Sequence, residues 1–257
     1  MAAIRLNHVL AAVLIVATAV LGACDDDDGE GDRDASPPAP TATPASEEAI
    51  TINQPALGRT VTIPFAVSGT ANVFEGSLQV RVIGPDGTPI CGRTVQAAGG
   101  AGATGNWTTT FAFDPALAAS ATEGAPDITI RAWSISPEDG SEQDVVMLPV
   151  SLDLTPPDIV ISEPRCNAEL TPNGTLVASG EAQVFEAALT VELQDSAGEP
   201  VVAQNVLAAS GTERSPWEAT LDLAGVPPAA YDLVAYSTSA EDGSVINEFR
   251  IPVTVTE

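Results

Sequence analysis

Carboxylates are the only abundant reactive side chains in this 257-residue sequence, where 35 Asp and Glu stand against nine Lys and Arg, one His and three Cys. Every one of the nine is an arginine, and the single histidine is His8. With no lysine, and with His8 in a segment read below as removed, the chain lacks an imidazole base and a Ser-His-Asp or Cys-His nucleophile pair. It also lacks a Schiff-base amine and a phosphate-loop lysine. Zinc and copper lose their usual ligand as well. Carboxylate chemistry and hard-cation binding remain, so a non-catalytic protein without a cofactor is expected. A formal charge of −26 repels nucleic acid and anionic headgroups, while it suits basic partners or plain solubility.

A few positions stand out among these groups. Glu75 and Glu186 occupy the same place in a repeated stretch: Ser68-Gly69-Thr70-Ala71-Asn72-Val73-Phe74-Glu75 returns as Ser179-Gly180-Glu181-Ala182-Gln183-Val184-Phe185-Glu186. Three readings are open for these acids: a hydrogen bond or ion pair that pins the preceding bend, a cation or ligand contact, or one half of a glycosidase-type carboxyl pair. Asp139 and Asp242 sit in Asp-Gly turn signals. With neighbouring acids they are weak Ca²⁺ candidates, although the spacing does not match an EF-hand loop. Trp133 and Tyr236 each follow the last apolar residue of an alternating run and fall on its opposite face. They could stack on a sugar or a partner protein, or cover a sheet edge. Of the cysteines, Cys91 falls in one copy of the repeat and Cys166 in the other. They either bridge the two copies in an oxidising exterior or remain two buried thiols.

The elements that must position these residues are strands. Alternating apolar runs occur at 50–52, 61–67, 78–82, 107–113, 128–132 and 145–152, then again at 159–161, 176–178, 189–193, 217–223, 231–235 and 249–255. No stretch carries a convincing helical period. Short strands spaced in this way argue an all-β protein of two tandem β-sandwich domains, residues 49–153 and 156–257, joined by Leu154-Thr155-Pro156-Pro157-Asp158. Period-two phasing places Phe74 and Phe185 in the core with Leu78, Val80 and Val82, or Leu189, Val191 and Leu193. Ahead of the domains, residues 1–23 read as a signal peptide, with Arg5 before the apolar run Val9–Leu21. Residues 24–48 read as a linker, acidic from Asp25 to Glu30 and then rich in Pro, Thr and Ala.

Two resemblances follow from these stretches. Leu21-Gly22-Ala23-Cys24 resembles the bacterial lipobox, which implies diacylation of Cys24 and a lipid anchor on the extracytoplasmic side of the membrane. The Ser-Gly-x-Ala-x-Val-Phe-Glu segment with its following strand, the Asp-Gly-Ser turns at 139–141 and 242–244, and the closing strands through Pro149 and Pro252 resemble the immunoglobulin-like domain of bacterial spore germination proteins. That resemblance implies two immunoglobulin-like folds with no known catalysis. The expected protein is a cell-envelope lipoprotein acting as an interaction or structural module for an envelope protein or cell-wall polymer. A carbohydrate- or Ca²⁺-binding adhesive module is the alternative, and a carboxylate-based hydrolase a more distant one.

Overall fold

The computed structural model describes residues 49–100, 102–119 and 128–257. In the first copy the strands are β1 (Thr60–Thr62), β2 (Phe65–Ala71), β3 (Ser77–Ile83), β4 (Pro89–Gln96), β5 (Gly105–Phe111), β6 (Ile128–Ile135) and β7 (Glu142–Asp153). They form a five-stranded sheet in the order β1-β7-β6-β3-β4, facing the pair β2-β5, onto whose edge Ile50 and Gln54 bridge. The second copy contains β8 (Ile159–Glu163), β9 (Ala168–Leu170), β10 (Thr175–Ala182), β11 (Ala188–Gln194), β12 (Pro200–Leu207), β13 (Ser215–Asp222), β14 (Ala229–Thr238) and β15 (Val245–Val255). Its sheets run β12-β11-β14-β15-β9 and β13-β10-β8. Both halves are immunoglobulin-type sandwiches.

The core follows the period-two pattern. Leu78, Val80 and Val82 of β3 are buried against Trp107, Phe111 and Phe113, and Leu189, Val191 and Leu193 repeat this with Trp217, Leu221 and Leu223. Phe65 lies 6.1 Å from Phe111 and edge-on to Phe113 at 6.2 Å, both within the favourable range for aromatic pairs. The repeated Gly of the motif lies directly across the sheet from the buried Trp, as Gly69 opposite Trp107 and Gly180 opposite Trp217. A β-carbon at either glycine would stand 1.9 Å from a main-chain oxygen, that of Thr51 or of Val160. The glycine therefore lets the first strand segment of each sandwich close onto the sheet. In the second copy the Tyr231 hydroxyl donates to Pro227 O at 2.9 Å, a tyrosine corner that ties the start of β14 to the loop before it.

Several expectations change. Phe74 and Phe185 are not core residues: they are 56 % and 70 % exposed, and Val73 and Val184 are buried instead. The chain turns at Glu75 (φ 52°) and Glu186 (φ 54°) before the strand begins, so alternation cannot be extended backwards across that turn. The run 61–67 is two strands. Pro64 cannot donate to a ladder, and on either side of it the chain pairs with different sheets, β1 parallel to β7 and β2 antiparallel to β5. Strands β4, β9 and β12 went unread because Gly92-Arg93-Thr94 breaks the alternation in β4, β9 spans only three residues, and β12 is a half-exposed edge.

The two sandwiches make one compact unit. Cys91 of β4 is disulfide-bonded to Cys166, at a sequence separation of 75. Next to the bridge, Asn167 Oδ1 accepts from Gly92 N at 2.7 Å and Asn167 Nδ2 donates to Gly92 O at 2.9 Å, so one side-chain amide caps the edge strand as a neighbouring strand would. Asp232 takes Arg93 from the first copy on one oxygen (2.9 Å) and Arg250 from its own copy on the other (3.2 Å). Arg214 Nη2 donates to the carbonyls of Pro156 and Pro157 in the joint, and Ser162 Oγ donates to Asp114 Oδ2 at 2.7 Å.

Candidate functional site

Cys24, the segment 1–23 and the linker 24–48 lie outside the described residues. Glu75 and Glu186 occupy identical left-handed turns, and both side chains are exposed. Among the described residues neither carboxylate has a hydrogen-bond or ion-pair partner, so neither pins the bend. The turn is closed by the backbone alone, with Gly76 N donating to Val73 O and Ala187 N to Val184 O. A Glu75→Gln/Glu186→Gln protein is accordingly expected to melt within about 0.5 kcal/mol of the parent, as substitutions free of specific contacts do. A larger loss in a urea titration would restore a structural role for the charge.

Asp139 and Asp242 shape their own turns. Each hairpin closes with a four-residue loop, bonded between Ser136 and Ser141 or between Ser239 and Ser244, with Gly140 and Gly243 both at φ 73°. In each loop one carboxylate oxygen accepts from the hydroxyl (2.7 Å) and backbone N–H (3.0 Å) of the serine two residues on. These bonds favour the ionised acid and hold both carboxyls below the ordinary aspartate value, the serine hydroxyl being the largest cause and its backbone amide the next. A depressed carboxyl stabilises the fold above its unfolded pKa of about 3.9 and loses that contribution as pH falls through the folded value. NMR titration is expected to find both acids below that value, with Ser141→Ala raising Asp139 and leaving Asp242 unmoved. No cluster of three His, Cys, Asp or Glu suited to a metal occurs among the described residues.

Trp133 and Tyr236 have corresponding positions, each at a register shift in its strand, yet their surroundings differ. Trp133 is buried at 4 % exposure beneath two guanidinium groups, Arg131 at 4.5 Å and Arg81 at 5.1 Å from the ring centroid. Its face is therefore taken and cannot stack on a sugar. Arg81 and Arg131 are direct cross-strand neighbours on β3 and β6. Glu142 chelates Arg131 through both oxygens, and that bond lowers the Glu142 carboxyl pKa and raises that of Arg131. Among the described residues Arg81 has no hydrogen-bond acceptor and no ion pair, and it acts on Glu142 only through space. In the second copy the Arg81 position is Glu192, and Tyr236 Oη donates to its carboxylate at 2.7 Å. Burial first, and this bond second, raise the Tyr236 pKa.

Two of the surface hollows lie near these residues. One, of about 1010 Å³, lies between the sandwiches and is bounded by Asp114, Pro115, Leu154, Glu181, Leu207 and Trp217. The other, of about 410 Å³, lies over the outer face of the first sandwich, where Gln79, Arg81, Thr94, Trp133 and Asn167 meet. Sequence reasoning found Trp133 but missed Arg81 and Arg131. Both fall on the outward face by alternation, and they are two of only nine cations, which was the available signal.

The architecture defines a tandem immunoglobulin-type sandwich protein whose candidate residues lie on outer sheet faces and turns. The chain belongs to the family of the immunoglobulin-like domain of bacterial spore germination, whose model matches residues 49–141 and again 158–244. No curated protein matches the sequence. Among solved structures, the fibronectin(III)-like modules of Clostridium thermocellum CbhA share 15 % identity over 80 % of this chain and 94 % of theirs, with a TM-score of 0.27. Dimeric latent PorU from Porphyromonas gingivalis shares 11 % identity over 77 % of this chain and 22 % of its own, with a TM-score of 0.28.

Proposed function

We propose that this protein is an exported lipoprotein, anchored through Cys24 on the extracytoplasmic face of a bacterial membrane, whose two sandwiches serve as a non-catalytic structural or adhesive module of the cell envelope. Its partner is an envelope protein or a cell-wall polymer, in germination or a related envelope process. The observation that carries this reading is the braced joint between the sandwiches. A disulfide, a backbone-mimicking amide and a shared aspartate fix one domain on the other, which suits holding a surface at a set orientation. The family's immunoglobulin-like fold is consistent with that role.

Anchoring is testable by detergent phase partitioning of the untagged protein expressed in a bacterial host. The parent should enter the detergent phase, and Cys24→Ala should move it to the aqueous phase. Equal aqueous recovery of both would end the anchoring claim. The adhesive role is tested separately, by sedimentation with purified cell wall. Of the alternative reading, the Ca²⁺ half has little support, since Asp139 and Asp242 spend an oxygen each on their own turns. The carbohydrate half rests on the hollow over Arg81.

A further inference from the structure

We infer that the hollow on the outer face of the first sandwich is a binding site for a carboxylated sugar, with Arg81 receiving the carboxylate. This deepens the adhesive reading and is independent of the anchor.

Charge bookkeeping within the sheet is the first argument. Like charges directly opposite across a strand pair are destabilising, and Arg81 faces Arg131 in this way. Among the described residues one carboxylate, Glu142, comes to that pair, and it is bound to Arg131 through both oxygens. The third cation at the hollow, Arg93, is consumed by Asp232. Arg81 is thus left partly buried and stacked on Trp133, with no hydrogen-bond acceptor among the described residues and only a through-space attraction to the Glu142 that Arg131 holds, on a chain with a formal charge of −26.

The second copy supplies an internal comparison. There the equivalent site is closed by its own groups: Glu192 accepts from Tyr236 Oη at 2.7 Å and from Gln194 Nε2 at 2.8 Å. The two sandwiches share their core pattern and diverge at this outer position. One is internally hydrogen-bonded, and the other holds a guanidinium with no bound acceptor among the described residues beside a hollow.

The shape and lining argue for a sugar acid over other anions. At about 410 Å³ the hollow is near the low end of small-ligand sites and holds roughly one sugar ring. Gly92 presents no side chain beside Arg81, which leaves the floor open along that edge of the sheet. Asn167 is held by Gly92 and forms a wall of the hollow, while Thr94 Oγ1 donates to Gln79 Oε1 at 3.1 Å and leaves the Gln79 amide nitrogen and the Thr94 lone pairs for ring hydroxyls. A planar guanidinium meets a carboxylate in a paired geometry. One guanidinium without a bound acceptor matches a single negative charge, whereas a dianion such as phosphate would meet the repulsion of the surrounding acidic surface.

The test uses the full-length chain in detergent and D-glucuronate as the probe, followed by NMR of the Trp133 indole and the Arg81 Nε–H. Saturable shifts at these groups with a Kd of about 1 mM are expected, a value in keeping with one charged contact and a few hydrogen bonds. D-glucose, which lacks the carboxylate, should bind at least tenfold more weakly. Arg81→Gln should weaken glucuronate at least tenfold, Arg81→Lys should retain part of the binding, and Tyr236→Phe in the other copy should change nothing. The inference is overturned by absence of shifts at 50 mM glucuronate (about 50 times the expected Kd), by unchanged affinity in Arg81→Gln, or by inorganic phosphate binding as tightly as the sugar acid. Because partitioning into detergent is measured separately, failure here is distinct from failure of the anchoring claim.

Discussion

Replacing Gly180 with alanine is expected to cost about 3 kcal/mol or more and to lower Tm by about 10 °C, a large share of the roughly 5–15 kcal/mol that holds a domain folded. The added β-carbon would stand 1.9 Å from Val160 O, 2.9 Å from Val160 C and 3.2 Å from Ile161 Cα. These are main-chain atoms, so no side chain can swing aside to relieve the overlap. Strand β8 would have to leave β10, giving up its ladder and exposing Ile159 and Ile161, both buried at 2 % or less. Gly69→Ala should behave alike through Thr51 O. Gly92→Ala is the control, because a β-carbon there meets Asn167 Oδ1 at 3.5 Å, Arg81 Nε at 3.6 Å and Val80 O at 3.8 Å, ordinary contacts. Thermal melts in which Gly180→Ala and Gly92→Ala fall equally would refute the close-approach account.

The second large effect concerns the joint. Cys91→Ala/Cys166→Ala removes a crosslink spanning 75 residues, which the loop-entropy model values at about 4 kcal/mol. Equilibrium urea unfolding of parent and variant measures the loss directly. The bridge also ties edge strand β4 to the start of the second sandwich, so its removal leaves the joint to Asn167, Asp232 and Arg214. Limited proteolysis should then cut between residues 154 and 158 faster than in the parent. A loss below about 1 kcal/mol would mean the crosslink restrains little of the unfolded chain.

Much of the architecture was legible because a half-buried strand writes itself into a sequence with period two. Leu78-Gln79-Val80-Arg81-Val82 and its counterpart Leu189-Thr190-Val191-Glu192-Leu193 alternate, and their inward members are buried as expected. The same rule failed one turn earlier. Phe74 and Phe185 keep the phase of the strand that follows them, but a left-handed residue intervenes, and backbone direction is not encoded by hydropathy. Trp133 was correctly placed on the outer face. Its burial there was not legible, since it depends on guanidinium groups from two positions that only strand register brings over the ring.

The sequence by itself determined that this is an all-β tandem repeat with no lysine and no histidine beyond position 8, because composition and alternation are local properties of the chain. It also marked the motif glycines and the odd pair Cys91 and Cys166. Tertiary structure alone decided what those marks do. Only the packing of strand β8 against β10 shows that Gly180 makes room for a carbonyl, and only the placement of β4 beside the second sandwich brings the two cysteines together. The repeated Glu75 and Glu186 have no hydrogen-bond or ion-pair partner among the described residues. The cation at a structured hollow with no bound acceptor among the described residues is Arg81, and strand register, not a local pattern, leaves it so. Whether a cation is neutralised depends on which carboxylates the fold carries within reach.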